Sequence, residues 1–489
     1  MEKVMTDAML PNILWICTDQ QRFDTIGALG NPHIHTPNID RLVKEGVGFT
    51  HAYCQNPVCT PSRASFLTGM YPSSVHACMN GNCHWADAAP LVTRLLANAG
   101  YDCGLVGKLH LAGAAGRIEP RPDDGYRVFH WSHHPYDDWD NGHAYADWLR
   151  AKGVDPGELF KDPAHFPIEL HQSSWCADMT INFIEEARDQ PWLMSVNFFD
   201  PHAPFDPPQT YLDRYDPNQI PYPAFEEIDL EAQERLDGIV FQTAAQHPES
   251  YDLASYFAKL GHEERPLPPD TIQTIIAAYY AMIELIDDNI GRMLEALERT
   301  GQRENTIIIF MSDHGEMLGD HGLLLKGCRF YEGLVRVPLI ISWPDHITSG
   351  LVSDALVELT DIAPTLLDFC GQSRPARMQG QSLRSLLLGQ TDLHHHRPHV
   401  RSEYYRSLGY LEEGKKGTYA TMIRDERYKL VTYHGLDWGE LFDLENDPFE
   451  FNNLWGDPEF KDIRFRLLKQ SFDDLAFAVD LGPEQVTLY

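Results

Sequence analysis

No stretch of this chain is apolar for long enough to span a membrane. Its longest apolar runs, such as Ile307–Met311, fall far short of the roughly 18 residues a spanning helix requires. Basic charge is also scarce: 39 Lys and Arg face 72 Asp and Glu, a net charge of −33. Nucleic-acid backbones are held by clustered cations, so this deficit excludes a nucleic-acid partner and, equally, an anionic membrane surface. It does not exclude a small anionic substrate. Exposed charges beyond a Debye length of about 8 Å are largely screened, and a few cations in one cleft set the local sign. Cysteine is sparse, nine in 489 residues, odd in number and scattered, which is no disulfide framework. No secretory signal is visible either, because Met1–Leu10 is short and mixed and the next residues read as a core strand. A reducing, cytoplasmic location is the expectation. There is no internal repeat.

What is present describes a folded globular protein: 43% hydrophobic residues and enough length for more than one domain. Apolar, β-branched runs alternate with helical patterns, which predicts an α/β fold around a largely parallel sheet flanked by helices. Asn12–Thr18, Tyr101–Gly107, Trp192–Phe199, Thr306–Met311 and Val337–Trp343 read as strands. Pro37–Gly46, Leu91–Gly100, Ser173–Asp189, Asp270–Gly301 and Asp361–Cys370 read as helices, the fourth with a stripe of Ile272, Ile275, Ile276, Ile283 and Ile286. Residues 201–269 are acidic and rich in Pro and aromatics, an insertion expected to wall or cover a site. Beyond the polar link Gln390–His399, alternation over Thr418–Ile423, Tyr428–Tyr433 and Glu440–Asp443 predicts a small antiparallel sheet. The division expected is a catalytic α/β domain over 1–375 and a smaller α+β subdomain over 376–489.

Chemistry-bearing residues gather at strand ends. Asp19 and Gln20 close the first strand, Lys108 and His110 the second, Asp200 and His202 the third, and Asp313 and His314 the fourth. Ligands of open α/β sheets bind outside the carboxyl ends of the strands. One such ending is usually only a turn or cap residue, but four point to one place. Asn56–Gly69 adds a nucleophile. Pro61 suits a first helical turn, so Cys59 falls at a helix N-terminus, where the dipole and Arg63 one turn on both favour negative charge. A lone Cys is more often a buried small hydrophobe, and the flanking Pro and Arg are what weigh against that here.

Cys59-Thr60-Pro61-Ser62-Arg63 followed by Leu67-Thr68-Gly69 resembles the C-x-P-S-R signature of the sulfatase family. Its companions stand in order: Pro11-Asn12-Ile13 before Asp19, Thr36-Pro37-Asn38-Ile39-Asp40-Arg41-Leu42, Gly107-Lys108-Leu109-His110, Ser312-Asp313-His314-Gly315-Glu316 and Lys326. Tyr428-Lys429-Leu430 and Glu440 to Pro448 extend the likeness to about Trp455. The resemblance implies a fold similar to alkaline phosphatase, and a Cys59 oxidised to formylglycine by a formylglycine-generating enzyme. It implies that Asp19, Gln20, Asp313 and His314, with an oxygen of matured Cys59, hold one divalent metal. Arg63 would steady the formylglycine hydrate, Lys108 and Lys326 would hold the sulfate oxygens, and Asn80 fits a further substrate contact. His202 would assist the leaving oxygen, and His110 would act as base toward the hydrate's second hydroxyl. Attack on sulfur releases the alcohol and leaves a sulfated hemiacetal; deprotonation of its second hydroxyl re-forms the carbonyl and expels sulfate by C–O cleavage, a step an ordinary serine cannot perform. Fixed cations and a metal lower the barrier by stabilising the charge that develops.

Two metal positions depart from the commonest family pattern, with Gln20 where Asp is frequent and His314 where Asn is frequent. Two carboxylates, an amide oxygen and an imidazole are compatible with Ca²⁺ or Mn²⁺ and let Zn²⁺ compete. Gln and His at those positions also occur in related phosphonate monoester and phosphodiester hydrolases, the main alternative. Those relatives tend to carry Tyr and Thr where this chain has Lys108 and His110, which favours sulfate. From another class, Cys54, Cys59, Cys78 and Cys83 form two C-x4-C pairs that would suit a structural zinc module. That reading leaves Pro61 and Arg63 unexplained. A non-catalytic binding protein is the remaining alternative, should Cys59 never be matured. The tract His394–His396 reads as a solvated loop. His133 and His134 with Asp137 and Asp138 suit either the lining of a substrate pocket or an ordinary loop, and the loop is the reading favoured. Trp131, Trp139 and Trp148 read as core packing or as an apolar wall for an aryl group. The partner expected is a small anionic ester, and the apolar stretch Phe472–Tyr489 suits packing on a second copy in a homo-oligomer.

Overall fold

In Asn12–Thr18 (β1) every residue is buried, and alternation sends successive side chains to opposite faces of the sheet. Ile13, Trp15 and Cys17 enter one core and Leu14 and Ile16 another. A strand buried on both faces needs helices above and below it, and that is what this computed structural model contains. It describes residues 10–85, 89–114, 118–135, 137, 141–161, 166–249, 251, 271–415, 418–479 and 487.

The remaining strands of the main sheet are Gly46–Tyr53 (β2), Asp102–Gly107 (β3), Val128–Trp131 (β4), Trp192–Asn197 (β5), Thr306–Ser312 (β6), Arg336–Ser342 (β7), Leu351–Ser353 (β8) and Val357–Glu358 (β9). They are ordered β4-β3-β5-β1-β6-β7-β2-β8, with β9 also on β2. From β4 to β6 all neighbours are parallel. β7 runs antiparallel to both β6 and β2. The largely parallel α/β sheet expected from the sequence is therefore present.

The helix Ile272–Arg299 covers the Leu14 face through Ile286, Ile290, Met293 and Leu297. On the Trp15 face lie Cys59–Thr68, through Ala64, Phe66 and Leu67, and Ile362–Phe369, through Ile362 and Leu366. Fully burying one such side chain stabilises by about 1.5–3 kcal/mol, so the two layers hold the sheet from both sides. They also fix the Cys59 helix at the end of the strands that carries the chemistry.

A second sheet joins Val400–Tyr405 (β10), Tyr419–Arg424 (β11), Tyr428–Tyr433 (β12) and Gly439–Asp443 (β13), all antiparallel. Val400, Tyr404, Met422 and Tyr433 share the Trp15 core, and the helix Lys461–Phe477 closes the outer face through Leu467.

Several elements went unread in the sequence. β2 carries two glycines and no continuous apolar run, β4, β8 and β9 are too short for a periodic signal, and Lys461–Phe477 has a weak apolar stripe. The helix read as Ser173–Asp189 spans Gln172–Glu185, and β5 ends at Asn197. In the stretch 201–269, the helix Glu227–Arg235 and Phe241, which bridges to Gly327 beside Lys326, are described; 250 and 252–269 lie outside the described residues.

Candidate active site

The four strands whose ends carry chemistry, β3, β5, β1 and β6, are consecutive and parallel, so their carboxyl ends form one edge. Strand neighbours lie about 4.8 Å apart, which brings residues far apart in sequence within side-chain reach. β3 is pressed against β5 at this edge. At Gly107 the backbone has φ 93°, and a Cβ there would lie 1.9 Å from the Asn197 carbonyl oxygen. Only glycine admits the turn that delivers Lys108.

Val58 caps the helix whose first residue is Cys59, fully buried as are all ten of its residues. The Cys59 Sγ lies 3.2 Å from His314 Nε2, 3.6 Å from Asp19 Oδ1, 3.0 Å from Lys326 Nζ and 3.8 Å from Lys108 Nζ. Burial and Asp19 push the thiol up, but Lys108, Lys326 and His314 more than reverse this and hold it below the ordinary thiol range. One turn on, Arg63 donates to Asp313 Oδ2 at 2.9 Å, Asp19 Oδ2 at 3.1 Å, the Lys108 carbonyl at 2.8 Å and Asn197 Oδ1 at 3.4 Å. Lys108 Nζ donates to Asp19 Oδ2 at 2.7 Å. Burial alone would raise the Asp19 carboxyl; Lys108, His202, Arg63 and Lys326 hold it well below the usual carboxylate range.

Donor atoms of Asp19, Cys59, Asp313 and His314 lie within 4.8 Å of one another. Two details fit this set to a cation. His314 Nδ1 is 2.8 Å from the Gly315 carbonyl oxygen, which only accepts, so the proton is on Nδ1 and the Nε2 lone pair faces the cluster. The Gln20 Nε2 donates to Glu316, which turns Oε1 inward, 2.8 Å from Lys326 Nζ. Lys326 lodges its ammonium among Gln20, Cys59 and His314, so positive charge is already accommodated there. Among the described residues this is the one group of three or more such ligating side chains that converges. Cys54, Cys78 and Cys83 have no part in it, which removes the zinc-module reading.

His110 and His202 stand at the periphery. Burial, Lys108 and His133 press the His110 imidazole well below its ordinary range, and its Nδ1 is buried without a hydrogen-bond partner. His202 is lowered by burial and Lys326, and its Nδ1–H donates to the Ala203 carbonyl at 2.7 Å. Asn80 Oδ1 accepts from the Thr60 N–H at 3.2 Å, so its nearest engagement is with the first turn of the Cys59 helix. Asp200 turns away: its carboxyl accepts from Ser173 Oγ at 2.6 Å.

Strain concentrates here. Gln20, His110 and Leu325, the residue before Lys326, all have positive φ, at 70°, 57° and 68°. For side-chain-bearing residues each costs about 1–3 kcal/mol and persists only where the surroundings impose it.

Residues assigned no role from the sequence also border the site. Gln242 Oε1 accepts the Lys326 N–H at 3.2 Å, Asn197 orients Arg63, and Glu316, named only as a motif member, orients Gln20. His133 and His134, expected in an ordinary loop, pack against site residues instead: His133 edge-on to His110 at 5.0 Å, His134 on Phe199 at 4.6 Å, with Phe199 against His202 at 4.7 Å. Only the strand end before them at Trp131 signals this, and β4 is too short to read. Asp138 and Trp139 lie outside the described residues. Trp131 and Trp148 are packing residues, the first fully buried, the second against Tyr145. His394 pairs with Asp354 in an exposed turn, but His396, read with it as solvated, lies largely buried with Nε2 3.3 Å from Asp361 Oδ2.

Comparison with known proteins matches this geometry to one family. The sulfatase family model covers residues 11–372, and a model described as N-sulphoglucosamine sulphohydrolase, C-terminal, covers 319–476. An arylsulfatase of Clostridium perfringens is 30% identical over 93% of this chain and 92% of its own length. An N-acetylglucosamine-6-O-sulfatase of Bacteroides thetaiotaomicron is 28% identical over 92% of this chain and 83% of its own. Among solved structures, a phosphonate monoester hydrolase of Agrobacterium radiobacter superposes with a TM-score of 0.80 at 28% identity, covering 98% of both chains.

Proposed function

Since the chain belongs to the sulfatase family and is a hydrolase acting on sulfate esters, we propose that it cleaves aryl or small organic sulfate monoesters at Cys59, releasing alcohol and sulfate. The observation that carries this assignment of residues is the place of Cys59 Sγ, buried at a helix N-terminus between two lysines and against the Asp19–His314 cluster. The thiol stands where the oxygens of the matured residue would lie. Formylglycine, made by a formylglycine-generating enzyme, supplies a hydrated carbonyl as nucleophile. Asp19, Gln20, Asp313, His314 and matured Cys59 would hold one divalent ion, Ca²⁺ or Mn²⁺ with Zn²⁺ as competitor, which supplies Lewis acidity.

The chain's own groups do the rest. Lys108 and Lys326 bind the sulfate oxygens and offset charge as it develops; Asn80 contributes through Nδ2. Arg63, held by both carboxylates, keeps the nucleophile oriented. His202 has Nδ1 committed to a carbonyl and offers Nε2 to the leaving oxygen. The negative ester beside it counters the burial and the Lys326 charge that disfavour its protonated form. His110, kept neutral by burial and Lys108, is the base in the half of turnover that frees sulfate. The cytoplasm is the location proposed, from nine unpaired cysteines. Among the described residues no helix is long and apolar enough to cross a membrane.

A second reading has support from the fold likeness to a phosphonate monoester hydrolase and from Gln20 and His314, and cross-reactivity with aryl phosphonate monoesters is expected. Two measurements test the proposal. Mass spectrometry of the Cys59 peptide from active enzyme finds the mass loss of formylglycine; a thiol in fully active protein overturns the role of Cys59. Comparing kcat/KM for an aryl sulfate and an aryl phosphonate monoester finds sulfate ahead; a much larger phosphonate value reverses the order of the two readings.

A further inference from the structure

Glu119 is buried, 2% exposed, on a loop nine residues after His110 and inside no motif, and the mechanism above gives it no part. Its carboxylate accepts three N–H groups: the backbone N–H of His110 at 2.7 Å and the Trp131 indole N–H at 2.9 Å on Oε2, and the backbone N–H of Leu111 at 2.9 Å on Oε1. Those backbone groups belong to the left-handed residue at the end of β3 and its successor. A residue with a side chain does not hold φ 57° unaided, and two bonds to consecutive N–H groups from one rigid carboxylate supply the restraint.

The third bond reaches the imidazole from the other side. Trp131 stacks on His133, with centroids 6.2 Å apart and planes 23° apart, and His133 meets the His110 ring edge-on at 5.0 Å and 75°. His133 is steadied in turn by Asp137, 3.4 Å from its Nδ1. A closed circuit runs from Glu119 through Trp131 and His133 to the His110 ring, and back through the His110 backbone. Burial favours the neutral form of Glu119, but donors on both oxygens match the carboxylate, which has no proton to misplace among them.

We propose that Glu119 is the positioning residue of His110, setting its backbone directly and its imidazole through Trp131 and His133. The inference rests on the reading of His110 as the base of the sulfate-releasing half of turnover. A purely structural acid would lower the amount of active enzyme without changing its kinetic pattern. A positioning acid slows the same step as loss of His110.

The test uses matured enzyme and an aryl sulfate. Glu119→Gln keeps size but turns an amide NH₂ against N–H donors. It is expected to lower kcat about tenfold to a hundredfold, with KM falling in parallel so that kcat/KM stays within about threefold, the signature of a slowed late step. His110→Ala is expected to show the same signature more strongly, and the double variant to be no slower than His110→Ala alone. Glu119→Asp, reaching fewer donors, is expected to recover part of kcat. If His110→Ala is impaired while Glu119→Gln stays within twofold, or if the losses multiply in the double variant, the role of Glu119 is overturned. If His110→Ala leaves kcat unchanged, the reading of His110 fails first. Should Glu119→Gln not fold, Trp131→Phe, which removes the indole donor and part of the ring that stacks on His133, is expected to give a smaller fall of the same pattern, and an unchanged kcat there counts against the proposal.

Discussion

Gln20 and Glu316 are locked together: the Gln20 carboxamide donates its Nε2 proton to the Glu316 carboxylate, so its oxygen points at the Asp19–Asp313–His314 cluster. Glu316 also accepts the Leu318 N–H at 3.0 Å and the Leu325 N–H, so it cannot swing away. Glu316→Ala leaves the amide free to flip and present NH₂ to a cation. Affinity for Mn²⁺ or Ca²⁺, measured by calorimetric titration of metal-stripped protein, is expected to fall about 10- to 100-fold. Unchanged affinity would remove Gln20 from the ligand set.

His202 is assigned to the leaving oxygen, and its loss should be felt in proportion to how much help that oxygen needs. His202→Ala is expected to lower kcat/KM about 10²–10⁴-fold for an alkyl sulfate and much less for a nitrophenyl sulfate, whose leaving group departs unaided. A uniform loss across a series of leaving groups would show binding and not proton transfer.

Arg63 is 1% exposed and ion-pairs with two carboxylates that are themselves inaccessible. Removing one member of such a buried set leaves uncompensated charge and costs about 3–5 kcal/mol. Metal-stripped Arg63→Met is expected to lose that much stability, read as a lower calorimetric Tm. Arg63→Lys keeps the charge but not the planar fork and should fall between. A Met variant as stable as the parent would mean that the carboxylates are already protonated.

Burial pushes His143 down to about 4, and its Nδ1 accepts the Ala146 N–H at 3.3 Å as the cap of the helix Ala144–Ala151. Protonation would set an N–H against an N–H and put positive charge at a helix N-terminus. Because the folded value lies below the unfolded one of about 6.5, the stabilisation is complete above 6.5 and is lost as pH falls toward 4. His143→Gln, which accepts without titrating, is expected to show a shallower decline of Tm over that window. Parallel curves would show that His143 does not titrate there.

The site was legible to the extent that its residues lie in motifs or at the ends of strongly apolar strands. Asp19 and Asp313 follow strands β1 and β6, whose apolar runs are unbroken, Lys108 follows β3 inside the run Gly107-Lys108-Leu109-His110, and Cys59 has Pro61 and Arg63 beside it. Glu119 and Gln242 follow no readable element. Glu316 stands inside a motif, but nothing in its identity says that it turns an amide. His133 and His134 read as loop residues because β4, which delivers them, spans only Val128–Trp131.

Sequence alone determined the sheet-and-helix alternation, the strand ends that carry acids and bases, and the nucleophile's place on a helix, because periodicity, propensity and capping act within a few residues. Strand order was decided only by the tertiary structure. Which strands neighbour β1 depends on how the cores on either face pack, and that order turns four separate endings into one edge. Orientation is likewise decided by partners: the inward Gln20 oxygen by Glu316, distant in the chain, the Nε2 lone pair of His314 by the Gly315 carbonyl, and the left-handed His110 by the Glu119 carboxylate that accepts its N–H. Hydrogen-bond direction is a property of the assembled pair, and no single residue's identity contains it.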